Sequence, residues 1–217
     1  MGKRGSPQHD PQLRILIAQS AARMMADEGL RDFAAAKRKA AAQHGVYGNK
    51  NLPANEEIQA ALLEHQRLFH SETQPKILQH QRDTALQAMK LLTDFKPCLV
   101  GPALTGAADE HTPVYLHLFA DTPEEVLIFL MEHQIPYQQG ERRVQYANGK
   151  TEYRAKFSFI AGDTEIQLTV FPLQGRRQAP LSPVDGRPQE RADLARVESL
   201  LQGGPAGRDR VKHRPWD

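Results

Sequence analysis

The sequence predicts an α+β fold: a helical first half, then a mixed, mostly antiparallel sheet with helices on one face. Three observations carry this. Apolar residues recur at three- and four-residue steps through four segments before residue 95. Two-residue alternation then runs through 114–119, 153–160 and 165–171. Between the first two of these runs stands Asn148-Gly149, the strongest hairpin signal in the chain.

Residues 1–10 are Gly, Pro and charge, and are expected to form a disordered tail. From Pro11 the series Leu13, Ile17, Ala21 and Met24 marks a first helix, which Gly29 should stop as a left-handed C-cap. A second, alanine-rich helix covers 31–43 with Lys37-Arg38-Lys39 on its flank, and the Gly, Asn and Pro content of 45–53 reads as loop. Asn55 is the expected N-cap of a third helix, with Glu56 and Glu57 at the positive end of its dipole and Ile58, Leu62 and His65 on its inner stripe. A fourth helix over 75–94 places Leu78, Gln81, Ala85, Met89 and Leu92 on one face. Residues 11–95 thus form a helical region of about four helices, unless the fourth packs on the sheet that follows. His65, His70 and His80 lack close ligand spacing and an acidic companion in register, and read as surface histidines.

Strand chemistry begins at Cys98, after Pro97. Thr122-Pro-Glu-Glu125 is a full helix start, with a Thr cap, Pro in the first turn and Glu three residues on. It opens a helix over 124–133. A short strand at 142–146 leads through the Asn-Gly turn into 153–160, and the turn 161–164 leads into 165–171. Residues 173–189 are loop, and Leu194, Val197 and Leu200 mark a last helix over 190–201. The second domain therefore spans 96–202, followed by a Gly-, Pro- and Arg-rich tail over 203–217 that is expected to be disordered.

Forty per cent apolar and 25% charged residues is an ordinary globular composition over 217 residues. No apolar run approaches the roughly 20 residues of a membrane helix, and the basic N-terminus lacks a signal peptide's apolar core, so no membrane partner and a cytoplasmic location are expected. The single cysteine, Cys98, excludes an internal disulfide and reads as a buried inert thiol. The net charge of +2 hides a pattern: residues 1–50 carry nine Lys/Arg against four Asp/Glu, and 174–217 nine against six, around an acidic centre. Basic ends would attract a polyanion such as RNA, or would be solvated helix faces and a tail. Phosphate-loop, Gly-x-Gly-x-x-Gly, nucleophile-elbow and His-Glu-x-x-His patterns are all missing, so P-loop ligase chemistry has no support.

The segment Val100-Gly101-Pro102, a loop of about ten residues, then Thr112-Pro113-Val114-Tyr115-Leu116, resembles the signature of the DNA polymerase β-like nucleotidyltransferase superfamily. The similarity covers roughly 96–173. With the basic helix Ala36-Lys-Arg-Lys39, Asn55-Glu-Glu-Ile, Gln66-Arg-Leu-Phe69 and 181–188, the whole chain resembles a group of uncharacterised proteobacterial proteins that carry such a divergent domain behind a helical region. The family signature is a Gly-Ser turn followed by two acids one residue apart, with a third acid on a later strand. The matching positions here are Pro102 for the Ser, Pro113 and Tyr115 for the paired acids, and Gln167 for the third. Mg²⁺ needs hard, charged oxygen ligands to hold a triphosphate and stabilise in-line displacement; a proline, a phenol and an amide supply none. Pro102 also lacks the N–H and hydroxyl with which a Ser would grip phosphate.

The resemblance therefore implies a degenerate nucleotidyltransferase-like domain, without standard metal-dependent catalysis, that acts as a binding or regulatory module with no cofactor. Gly101, Thr105 and Gly106 remain as a backbone nest for nucleotide phosphate. An active transferase is the enzyme alternative; it would need Mg²⁺ on relocated ligands such as Asp109, Glu110 or Asp163, with His117 as the rescue candidate. His117 shares the strand face of 113 and 115, where it would contact phosphate or act as a base, or be a histidine hydrogen-bonded at a sheet face. The third alternative is an RNA- or protein-binding adaptor using the basic helix 37–39 and the Arg-rich tail. Glu141-Arg-Arg143 and Arg176-Arg177 would add a basic rim beside the sheet, or simply protect edge strands.

Overall fold

A computed structural model describes residues 10–48 and 51–203. Both expected tails lie outside the described residues except at their inner ends. There the expectation of disorder is corrected: Asp10 accepts the backbone N–H groups of Gln12 and Leu13 and caps the first helix, and Gly203 closes a turn onto the Leu200 carbonyl.

The described residues form an α+β chain of seven α-helices and five strands. It divides into two compact units, Met1–Gln74 with Pro183–Asp185, and Pro75–Ser182 with Gly186–Asp217. The division falls some twenty residues before the expected boundary at 95/96, because the fourth helix shares its apolar face with the sheet.

The first unit holds α1 (Pro11–Asp27), α2 (Phe33–Gln43) and α3 (Asn55–Phe69). Helix α1 packs against both others; it buries Ile17, Ala18, Ala21, Ala22 and Met25, while α2 buries Ala36 and Ala40 and α3 buries Ile58 and Leu62. Small side chains let the helix axes approach closely. Gly29, at φ 67°, ends α1 as expected, with the Glu28 and Leu30 amides returning to the Met24 carbonyl. Asn55 does not cap α3. The helix starts on it, Glu57 accepts the Ala54 N–H, and the Asn55 amide donates to the Pro183 carbonyl. Arg14 donates Nε to Glu57 Oε1 at 2.8 Å, tying α1 to α3.

The second unit holds α4 (Gln74–Leu91), β1 (Cys98–Val100), the short α5 (Pro102–Thr105), β2 (Val114–Phe119), α6 (Pro123–Glu132), β3 (Gln138–Gln145), β4 (Thr151–Ala161), β5 (Thr164–Phe171) and α7 (Leu194–Leu201). The strand order is β1-β2-β5-β4-β3. The β2–β5 pair is parallel and the other three pairs are antiparallel, so the sheet is mixed and mostly antiparallel. The Asn148-Gly149 turn joins β3 to β4, with Gly149 at φ 80°, and the Thr122 N–H is capped by Glu125 at 2.9 Å. Leu99, Val114, Leu116, Leu118, Ile166, Leu168, Val170, Phe157 and Phe159 line one sheet face and pack into a single core with Met89 of α4, Leu104 of α5, Leu130 of α6 and Val197 of α7. Helix α7 is shorter than expected because Asp193, not Glu190, caps it through the Arg196 N–H. Before that cap, Ala192 makes a two-way backbone bridge to Leu99 on the outer edge of β1.

Candidate functional site

The face of the sheet opposite the helices carries Tyr115, His117 and Phe119 from β2, with Gln167, Thr169 and Phe171 facing them from β5 in parallel register. Tyr115 and Gln167, which lie far apart in the sequence, are thus direct neighbours. Pro113 is buried just before β2 begins. The carboxylate closest in register is Glu165, on the same face two residues before Gln167, whose Nε2 donates to it at 2.9 Å. Sequence reasoning passed over Glu165, although the two-residue period from Gln167 points to it.

The charged groups around this row are mainly guanidiniums. Arg142 on β3 lies over the Tyr115 ring at 5.0 Å. Arg191 lies over Phe119 at 5.0 Å and Phe171 at 5.2 Å, and Arg154 and Arg176 face Phe171 and Phe119 at longer range. Arg191 is delivered by the Ala192–Leu99 bridge. Its Nε donates to His117 Nδ1 at 3.1 Å and its Nη1 to the Gly175 carbonyl at 2.8 Å. Its Nη2 is buried without a hydrogen-bond partner, as is Nε of Arg154, whose Nη2 bonds Glu152. Among the described residues no carboxylate forms an ion pair with Arg142 or Arg191. Burial lowers the pKa of both guanidiniums, yet such a group remains charged throughout the physiological range.

His117 is 2% exposed, with its ring 4.5 Å from that of Phe171. Burial, then the positive charge of Arg191 and Arg142, hold its pKa well below the ordinary imidazole value. It is neutral at pH 7, and the N–H from Arg191 assigns Nδ1 as acceptor and the proton to Nε2. The nitrogen that would serve as a base is therefore already engaged. Cys98 is half-buried, and its Sγ faces the Lys96 carbonyl at 3.9 Å. Burial pushes its thiol up, away from the thiolate form.

Gly101 has φ 73° and ψ −153°, a conformation open essentially to glycine alone, and an added Cβ would stand 3.3 Å from Tyr115 Cδ2. Its carbonyl accepts the Leu104 and Thr105 amides, while Pro102's carbonyl accepts those of Gly106 and Ala107. The amides expected to cradle phosphate at Thr105 and Gly106 thus close the turn on itself. Arg82 of α4 ties the same turn down through the Ala103 and Leu104 carbonyls.

The relocated acids go elsewhere. Asp109 accepts from the His111 N–H and the Thr112 hydroxyl and shapes its own loop. Asp163 pairs with His80 at 2.8 Å, so this surface histidine does have an acidic companion. Glu110 is exposed beside His111. Of the basic triad on α2, Lys39 pairs with Glu28, and Lys37 is half-buried with its pKa lowered by burial and by Arg14. In the first unit, Asp27, His65 and His70 converge, supplying the acidic companion that sequence spacing did not show. No helix among the described residues is long and apolar enough to cross a membrane. No protein-family model, no curated protein and no solved structure matches this chain.

Proposed function

We propose that the sheet-bearing unit is a degenerate nucleotidyltransferase-like domain that binds a phosphate-bearing ligand of the nucleotide class without a metal and without transfer. The observation that carries this is the loss of negative charge at the matching positions with guanidiniums placed on the same sheet face. Tyr115 and Gln167 stand side by side where carboxylates would clasp Mg²⁺, with Arg142 over the Tyr115 ring, Arg191 on the neighbouring His117, and Glu165 bonded to Gln167. A cluster of guanidiniums repels a divalent cation and attracts phosphate oxygens, with a geometry suited to paired hydrogen bonds. The unpartnered Nη2 of Arg191 adds a buried donor that an anion would satisfy. The strand order β1-β2-β5, with a Gly turn after the first strand, supports the family resemblance on which the reading rests.

The test is calorimetric titration of the full chain with each nucleoside triphosphate, in Mg²⁺ and in EDTA, beside an assay for transfer of α-labelled nucleotide. Binding is expected to be equal in both buffers, about tenfold weaker in Arg142→Gln, and accompanied by no transfer. Binding that requires Mg²⁺, or labelled product, would overturn the proposal in favour of the active enzyme. An absence of binding by every nucleotide would also remove it.

A further inference from the structure

In the first unit, Asp27 is the last residue of α1, His65 lies on α3 and His70 caps the C-terminal end of α3. His65 Nε2 stands 3.3 Å from Asp27 Oδ1 and His70 Nε2 3.7 Å from the same oxygen. The three ligand atoms all lie within 4.8 Å of one another. We propose that Asp27, His65 and His70 form a binding site for a divalent transition-metal ion of the zinc class.

His65 Nε2 makes a hydrogen-bond contact with Asp27 Oδ1, but His70 Nε2 stands beyond hydrogen-bond reach of it, so a direct hydrogen bond accounts for only one of the two approaches. Both separations exceed the 2.7–3.2 Å of a well-made N–H···O bond. They lie near the ~3–3.5 Å between ligands that sit about 2.1 Å from a shared ion in tetrahedral or octahedral geometry. Two imidazoles presenting Nε2 to one carboxylate oxygen make an N₂O donor set, which suits Zn²⁺, Co²⁺ or Ni²⁺ rather than Mg²⁺ or Ca²⁺. The two rings are tilted 54° to each other with centroids 5.8 Å apart, so their nitrogens converge without stacking.

The frame is firm. Helix α1 packs directly on α3, and Arg14–Glu57 ties the same two helices together. The His70 N–H is fixed to the Gln66 carbonyl, and the His65 ring rests 4.7 Å from that of Phe69. Side-chain exposures of 16% for His65, 41% for His70 and 44% for Asp27 leave room for water at the remaining coordination positions. Arg23 approaches the same carboxylate through its other oxygen, with Nε 3.8 Å from Oδ2. A bound ion joins the C-terminal ends of α1 and α3, and its effect falls on the stability of this unit, independently of the sheet face.

The test uses the untagged full chain, stripped with chelator and titrated with Co²⁺ and then Zn²⁺. One equivalent of Co²⁺ should develop a visible ligand-field band that Zn²⁺ bleaches, and Zn²⁺ should raise the melting temperature. The double variant His65→Gln/His70→Gln should lose the band and the thermal shift while keeping its helical circular dichroism. The more exposed single variant His70→Gln, which keeps the α1–α3 packing, should bind at least about tenfold more weakly. His80→Gln should bind as the wild type does. No cobalt band at millimolar metal, or a band as strong in the double variant as in the wild type, would overturn the proposal.

Discussion

The two faces of the five-stranded sheet are made by alternate residues of the same strands and obey different physics. On one face Leu116, Leu118, Leu168 and Ile166 are fully buried against four helices. On the other, one residue along in each strand, lie Tyr115, His117, Gln167 and Thr169, overlain by the guanidiniums of Arg142 and Arg191. The first face is held by removal of apolar surface from water, which is non-directional and needs only the right side of the strand. The second is held by directed contacts in which one partner depends on another: Arg191 has His117 as acceptor, and His117 stays neutral beneath it. Substitutions on the first should therefore cost stability in proportion to volume, and on the second in proportion to the polar groups they orphan.

The largest effect is expected from Leu116→Ala, at the centre of the apolar face, which should cost about 3 kcal/mol in urea denaturation through lost transfer energy and a residual cavity. A loss below about 1 kcal/mol would mean that this face collapses around the gap. Gly101→Ala probes the approach of the turn to Tyr115 and should cost about 2 kcal/mol, since an alanine is strained at φ 73°. An unchanged urea midpoint would show that the turn relaxes away from the sheet.

The smallest effect, and the sharpest for the polar face, is the pH dependence of His117. Its folded pKa lies well below the ordinary imidazole value, so between the two the unfolded chain binds the proton and the folded one does not. The contribution is fully present above about pH 6.5, and it falls by roughly 1 kcal/mol per pH unit below that, down to the folded pKa. His117→Gln keeps an acceptor for Arg191 and should flatten this slope in melts between pH 5 and 8. A slope that survives the substitution would assign it to another group.

Much of the framework was legible because local chemistry dictated it. Gly29 ended α1 because its left-handed φ suits glycine, Thr122 and Glu125 started α6, and Asn148-Gly149 turned β3 into β4. Asn55 misled because the amide that fits an N-cap found the Pro183 carbonyl instead, and the carboxylate of Glu57 did the capping work. The fourth helix was ambiguous because an amphipathic stripe shows that a face is buried, not against what. Its partner proved to be the sheet.

The sequence by itself determined the element types, the order of helices and strands, and the row Pro113, Tyr115, His117 with Gln167, which holds no carboxylate. These are consequences of periodicity, turn chemistry and residue identity, all of which act over a few residues. Only the tertiary structure decided what each polar residue meets. It set Gln167 beside Tyr115 through the parallel β2–β5 register. It brought Arg191 onto His117 through the Ala192–Leu99 bridge, and it closed Asp27 onto His65 and His70 where α1 packs on α3. Charge and hydrogen-bond chemistry depend on distances of a few ångströms, and those distances join residues that packing, not sequence, makes neighbours.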